Sequence, residues 1–304
     1  MMQYNKTFFG DDAFETPVAI VRGLLGLVLL IGGWKLAFPQ DPQGLVEMYL
    51  PGGSWPAIHE PLVDWMHTLV GAESVSDSVL LFLQSMGWLE MTVGLALVAG
   101  FLTPWFAALA GLMFFSFAMA NPDAGMIKLA IDVTMGGFAL AVAFTGSGRW
   151  GVDSTMNWFS EVQASRKPWF LTTIRVFLLY AFVLGVLFPI FPGQAVGWLY
   201  TPGVFWFVSL VLVGMLLFPQ TARWACGAIA LWMVGIILVS VVQQVGDQGL
   251  AGIYWGLDSA KWHIGLLGGA LAYVLTGPDR VSIFPPGTQK PGEEERTDER
   301  VMTA

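Results

Sequence analysis

A few ionisable side chains interrupt otherwise apolar stretches of this chain, and they are where chemistry would reside. A charge left in hydrocarbon costs at least ~2.5 kcal/mol, so each needs a partner or a polar cavity. Glu90 lies near the middle of the apolar helix expected at about 78–101, and Lys35 closes the apolar run RGLLGLVLLIGGWK. Lys128 and Asp132 are four residues apart, which places them on one face of a helix. The spacing allows Glu90, Lys35, Lys128 and Asp132 to converge in one polar pocket. There the carboxylates Glu90 and Asp132 would accept or relay protons, while Lys35 and Lys128 would hold an anion or a carbonyl oxygen. The competing reading is an ion-pair network that only ties helices together.

Asp258, Lys261 and His263 form a second constellation, in which Asp258 and Lys261, three apart, most simply pair with each other at a membrane edge. His263 reads more simply as a packing residue than as a ligand. Trp88 sits two residues from Glu90, on another face of the same helix, where it packs against lipid or stacks on a ligand ring. His59, Glu60, Asp64 and His67 make a conceivable metal set, but Pro61 interrupts the helix that would align them, so a solvated face is expected. Gly146, Gly148 and Gly151 satisfy GxGxxG, yet they follow an apolar helix rather than a strand, which removes the dinucleotide reading. Asp153, just beyond, is placed to pair with Arg149. GxSxG, HExxH and P-loop patterns do not occur.

The elements that position these residues are membrane helices. Hydrophobic residues make up 55% of the 304-residue chain, charged residues 12%, and mean hydropathy is +0.65, which is too apolar for a soluble domain. The spacing predicts an all-α integral membrane protein with eight spans near 17–38, 78–101, 104–121, 126–146, 169–191, 204–218, 222–242 and 258–276. Arg22 to Pro39 and Arg175 to Pro192 share an outline of Arg, apolar helix and Phe-Pro. Thr103-Pro-Trp-Phe-Ala matches Thr221-Ala-Arg-Trp-Ala, Gly136-Gly137 matches Gly268-Gly269, and Thr145-Gly146 matches Thr276-Gly277. The chain thus reads as two tandem four-helix units, 17–155 and 169–283. A polar lead, 1–16, precedes them, a linker, 156–168, joins them, and a charged tail, 284–304, follows. An acidic loop, 39–76, carries a surface-lying amphipathic segment.

Of the fourteen Lys and Arg residues, only Lys35, Lys128 and Lys261 fall on one side of these spans. The basic excess on the other side predicts cytoplasmic termini and an outward acidic loop in the cell membrane. A net charge of -8 argues against nucleic-acid partners. The single Cys226 excludes an internal disulfide or a cysteine-ligated cluster, and the sequence predicts no bound haem, flavin or metal.

GGWKLAFP at 32–39, GWLEMTVGLALVAGFLTP at 87–104 and GSGRWGVDS at 146–154 resemble the DoxX/DoxD family, over roughly residues 18–155. Some members are the membrane subunit of thiosulfate:quinone oxidoreductase. The resemblance implies a membrane subunit of a quinone-linked oxidoreductase, with quinone as a diffusible substrate and a partner subunit that handles reduced sulfur. On that reading Glu90 and Asp132 handle protons, while Lys35, Lys128, Trp88 and His263 contact the quinone. The second unit has Phe188 where Lys35 aligns and Val208 near where Glu90 aligns, so a site of this kind belongs to the first unit. Two further readings stand beside it: a non-catalytic scaffold or accessory subunit of a respiratory complex, and a small-molecule transporter.

Overall fold

The computed structural model describes residues 15–49, 60–71, 74–120, 126–148, 150–156, 167–187 and 202–276. Most of the polar lead, part of the 39–76 loop, the linker and the tail lie outside them, as does Phe188. Among the described residues the chain is helical throughout, without strands: α1 (Glu15–Ala37), α2 (Pro42–Tyr49), α3 (Glu60–Val70), α4 (Val75–Ala99), α5 (Thr103–Ala120), α6 (Met126–Thr145), α7 (Val152–Thr155), α8 (Lys167–Leu187), α9 (Pro202–Leu217), α10 (Pro219–Gln248) and α11 (Gly252–Thr276). By length and composition α1, α4 and the continuous α10–α11 stretch are each apolar enough to cross a membrane. The apolar parts of α5, α6, α8 and α9 are shorter.

Packing follows from where the small residues fall. On α1, Gly26 and Gly33 are seven apart, as are Gly87 and Gly94 on α4. A side chain on Gly26 would begin 2.6 Å from the Gly94 carbonyl, and one on Gly33 would begin 2.6 Å from the Gly87 carbonyl. The two helix backbones therefore touch at two levels, an approach that only residues without side-chain bulk permit. α11 lies along the other flank of α1, with Gly268 against Leu24 and Val21, and α8 lies along α6, with Gly137 against Phe177. α5 packs on α6, and α10 packs on α11 through Gly252 and Gly256. One continuous apolar core links α1, α4, α5, α6, α8, α9, α10 and α11.

Asp153 is buried at the start of α7. Its carboxylate accepts hydrogen bonds from the backbone N–H groups of Leu102 and Thr103, at 2.8 and 2.7 Å, and so caps α5. Arg149 lies outside the described residues. The Asp153 charge also attracts the buried Arg22 guanidinium, which is wedged between Gly100 and Gly151. Gly100 ends α4 in the left-handed region at φ 67°, and any side chain there would strike Arg22.

The 39–76 connection contains two short helices, α2 and α3, whose Leu45, Val46 and Val63 pack against Val79 and Leu83 of α4. Pro61 does not interrupt a helix: it is the second residue of α3, in the first turn, where a missing N–H costs nothing. His67 shares a hydrogen bond with Ser78 Oγ at 2.8 Å, and Asp64 is exposed. His59 lies outside the described residues.

Candidate functional site: a charged cavity between α1, α4 and α11

A cavity of about 250 Å³ opens where α1, α4 and α11 meet under α2. Its walls are mostly apolar: Val28, Leu29 and Leu36 from α1, Phe114 and Phe117 from α5, and Trp262 from α11, with Leu45 and Met48 of α2 at one end. Set into these walls are four charged side chains, Lys35, Glu90, Asp258 and Lys261.

Asp258 is the hub. Its Oδ1 accepts from Lys261 Nζ at 2.7 Å and its Oδ2 from Lys35 Nζ at 3.3 Å, so one carboxylate joins α11 to α1. The side chain of Asp258 is 10% exposed, Lys261 17% and Lys35 38%, which makes the cluster progressively wetter toward Lys35. Tyr254, one turn earlier on α11, donates to the Ile31 carbonyl at 3.2 Å and fixes the register of the two helices.

Glu90 is only 5% exposed, and the local sequence explains how α4 accommodates it. Its Cβ lies 2.8 Å from the place where a Gly33 side chain would begin, and its Oε2 lies 2.9 Å from the corresponding place at Gly32. Lys261 Nζ stands 3.9 Å from that same point on Gly32 and attracts the carboxylate. The Gly32-Gly33 step therefore supplies the room in which a buried acid and an ammonium group face one space. Formally the four groups sum to zero, the condition under which charges are tolerated in an apolar wall.

The remaining candidates fall elsewhere. Asp132 is fully buried on α6 and does not line the cavity. Lys128 is on α6, with its side chain outside the described residues. His263 follows Trp262 on α11 but is not part of the lining. Trp88 is 52% exposed on the outer face of α4, where it meets Phe38 edge-on with ring centroids 5.1 Å apart. Of the first-unit set, Glu90 and Lys35 thus share one cavity, and their companions are Asp258 and Lys261 rather than Asp132. The sequence offers Asp258 and Lys261 as a pair three residues apart; that Lys35, 223 residues away, completes it depends on α1 lying along α11.

The arrangement joins an apolar slot to a buried carboxylate and an ammonium donor. Chemically it suits a flat, mostly apolar ligand with a carbonyl oxygen to receive the Lys261 hydrogen bond and a nearby atom that gains or loses a proton at Glu90. Comparisons of the chain with protein-family models, with curated proteins and with solved structures gave no match. The fold and site together define an all-helical, membrane-suited protein with a charged internal cavity.

Proposed function

We propose that the chain is the membrane subunit of a quinone-linked oxidoreductase, similar to the DoxX/DoxD proteins, and that the cavity receives the quinone ring. The observation that carries this reading is Glu90, nearly sealed from solvent, facing Lys261 across the side-chain-free edge of Gly32 in an otherwise apolar slot. The aliphatic walls and Phe114 and Phe117 enclose the ring, Lys261 donates to one carbonyl oxygen, and Glu90 exchanges the proton that accompanies reduction. Electrons come from a reduced sulfur compound such as thiosulfate, oxidised on a partner subunit. The four charges in the walls sum formally to zero, and both lysines are engaged by Asp258, so the cavity carries no net positive charge to favour a dianion, which is why the sulfur chemistry is assigned elsewhere.

The same proposal takes the eight longer helices as spans in two tandem four-helix units, with both termini cytoplasmic. Supporting the duplication, α11 meets α1 through Gly268 and Leu24, and α6 meets α8 through Gly137 and Phe177. Gly137 and Gly268 occupy the same place relative to Thr145 and Thr276, and Leu24 and Phe177 each stand two residues after Arg22 and Arg175. These contacts lie at similar, though not identical, places in the two halves, which supports the reading of a parallel repeat.

A second reading has its own observation: the Lys35–Asp258 pair ties α1 to α11, as a purely structural clamp in a scaffold subunit would. Glu90→Gln separates the two. Thiosulfate-dependent quinone reduction, measured in membranes with co-purifying partners, is expected to fall about 10²-fold or more while the subunit stays assembled, the usual worth of a proton-transferring group. Unchanged turnover, or none in the wild type with partners intact, transfers the assignment to the scaffold.

A further inference from the structure

The four charges of the cavity stand in two tiers. Lys35 and Asp258 occupy the tier near the end of the bundle where α1 finishes and α11 begins. Lys261 and Glu90 meet beside Gly32, three residues further along α1, which is roughly 4–5 Å deeper. Lys261 belongs to both tiers, because its ammonium bonds Asp258 and faces the Glu90 carboxylate. The Lys35 side chain is 38% exposed and that of Asp258 10%, while Glu90 is 5% exposed. The ionisable groups around this route are Lys35 on α1 and Tyr254, Asp258 and Lys261 on α11. α5 contributes Phe114 and Phe117, and α2 contributes Leu45 and Met48. Asp132 on α6 and His263 on α11 do not line the cavity.

We propose that Asp258 is a proton relay that connects Glu90 to the aqueous phase at that end of the bundle. A carboxylate deep in an apolar slot exchanges protons only as fast as a path to water allows, and Asp258 is the carboxylate between Glu90 and the wetter Lys35. The proton enters at Asp258, crosses the space beside Lys261 and Gly32, and binds Glu90; the cavity volume has room for the water that such a step uses. Lys35 and Lys261 hold Asp258 in place and offset its charge. The role of the relay rests on the quinone reading: quinone, two electrons from the partner's reduced donor and two protons give quinol. Glu90 passes the protons on one at a time, and Asp258 replaces each from solvent. The existence of the path does not rest on that reading.

The test is time-resolved infrared spectroscopy of the purified full chain in lipid nanodiscs after a pH jump, with the Glu90 carboxyl band assigned by its loss in Glu90→Gln. In Asp258→Asn the Glu90 response is expected to slow about 10²-fold, and azide or formate, small acids that ferry protons, are expected to restore it. Asp258→Glu keeps the carboxylate and should stay within about threefold of wild type on the same grounds. If Asp258→Asn does not fold, Asp258→Asn combined with Lys35→Met keeps the net charge of the cluster and carries the same expectation. Equal rates in wild type and variant, a slowing that azide does not relieve, or no Glu90 response in the wild type overturns the relay. Adding a short-chain quinone to the same samples tests the function separately. A Glu90 band indifferent to quinone rejects the quinone site while leaving the relay result intact.

Discussion

The α1–α4 pair and the α8–α9 pair begin from similar sequence outlines and end in different packing. In α1–α4, Gly26 faces Gly94 and Gly33 faces Gly87, so backbone meets backbone. At the corresponding places the other pair carries Leu179, Val186 and Leu212, and the one α9 glycine with a described environment, Gly214, has nothing within 4 Å of where a side chain would begin. The buried acid also belongs to the closely packed pair alone, since Val208 stands near the place of Glu90. The comparison teaches that close helix approach and buried charge go together here: removing side chains from α1 both draws α4 in and leaves a polar-sized gap for its carboxylate.

The largest effect expected from breaking this contrast is Gly33→Val. The new atoms would fall 2.6 Å from the Gly87 carbonyl and 2.8 Å from the Glu90 Cβ, neither of which can yield without moving a helix. A loss of roughly 1–3 kcal/mol or more is expected, read as a drop in unfolding temperature in detergent. Gly32→Ala sharpens the picture at smaller cost. Its Cβ meets the end of the Glu90 side chain at 2.9 Å and stands 3.9 Å from Lys261 Nζ, so stability should change by less than about 1 kcal/mol while the carboxylate swings away. Quinone titration should then show weaker binding in a protein of near-normal melting temperature. Gly214→Ala, in open space on α9, should be neutral or stabilising by up to about 1 kcal/mol through helix propensity. A destabilisation there would mean that the second pair is more tightly packed than its sequence suggests.

Helices were the most legible feature. Long apolar runs bounded by Pro, Gly and charged residues can do little else in a bilayer, and the observed α1, α5 and α6 begin and end within a few residues of what the pattern implies. The place of Glu90 within α4 and of Lys35 at the end of α1 was equally plain. Side-chain partnership was not. A helix that is apolar all round shows no preferred inward face, so nothing in the pattern indicates that α1 turns one flank to α4 and another to α11. That choice is what brings Lys35 to Asp258 and leaves Asp132 outside the cavity. The capping role of Asp153 was hidden for a related reason. Arg149 is its obvious neighbour in sequence, whereas the N–H groups at the start of α5 that it accepts from come from a turn about fifty residues away.

The knot formed by Arg22, Gly100 and Asp153 has a consequence for the order of assembly. Arg22, in α1, leaves the ribosome before its acidic companion, which is not synthesised until α4, α5 and α6 have followed. During that interval the Arg22 guanidinium lacks the Asp153 charge that faces it in the folded protein. Only when the segment holding Asp153 folds back over the Gly100 turn is the charge enclosed. Enclosure of Arg22 therefore requires the Asp153 segment, and truncated chains ending before Asp153 should turn over faster in the cell than chains ending after it.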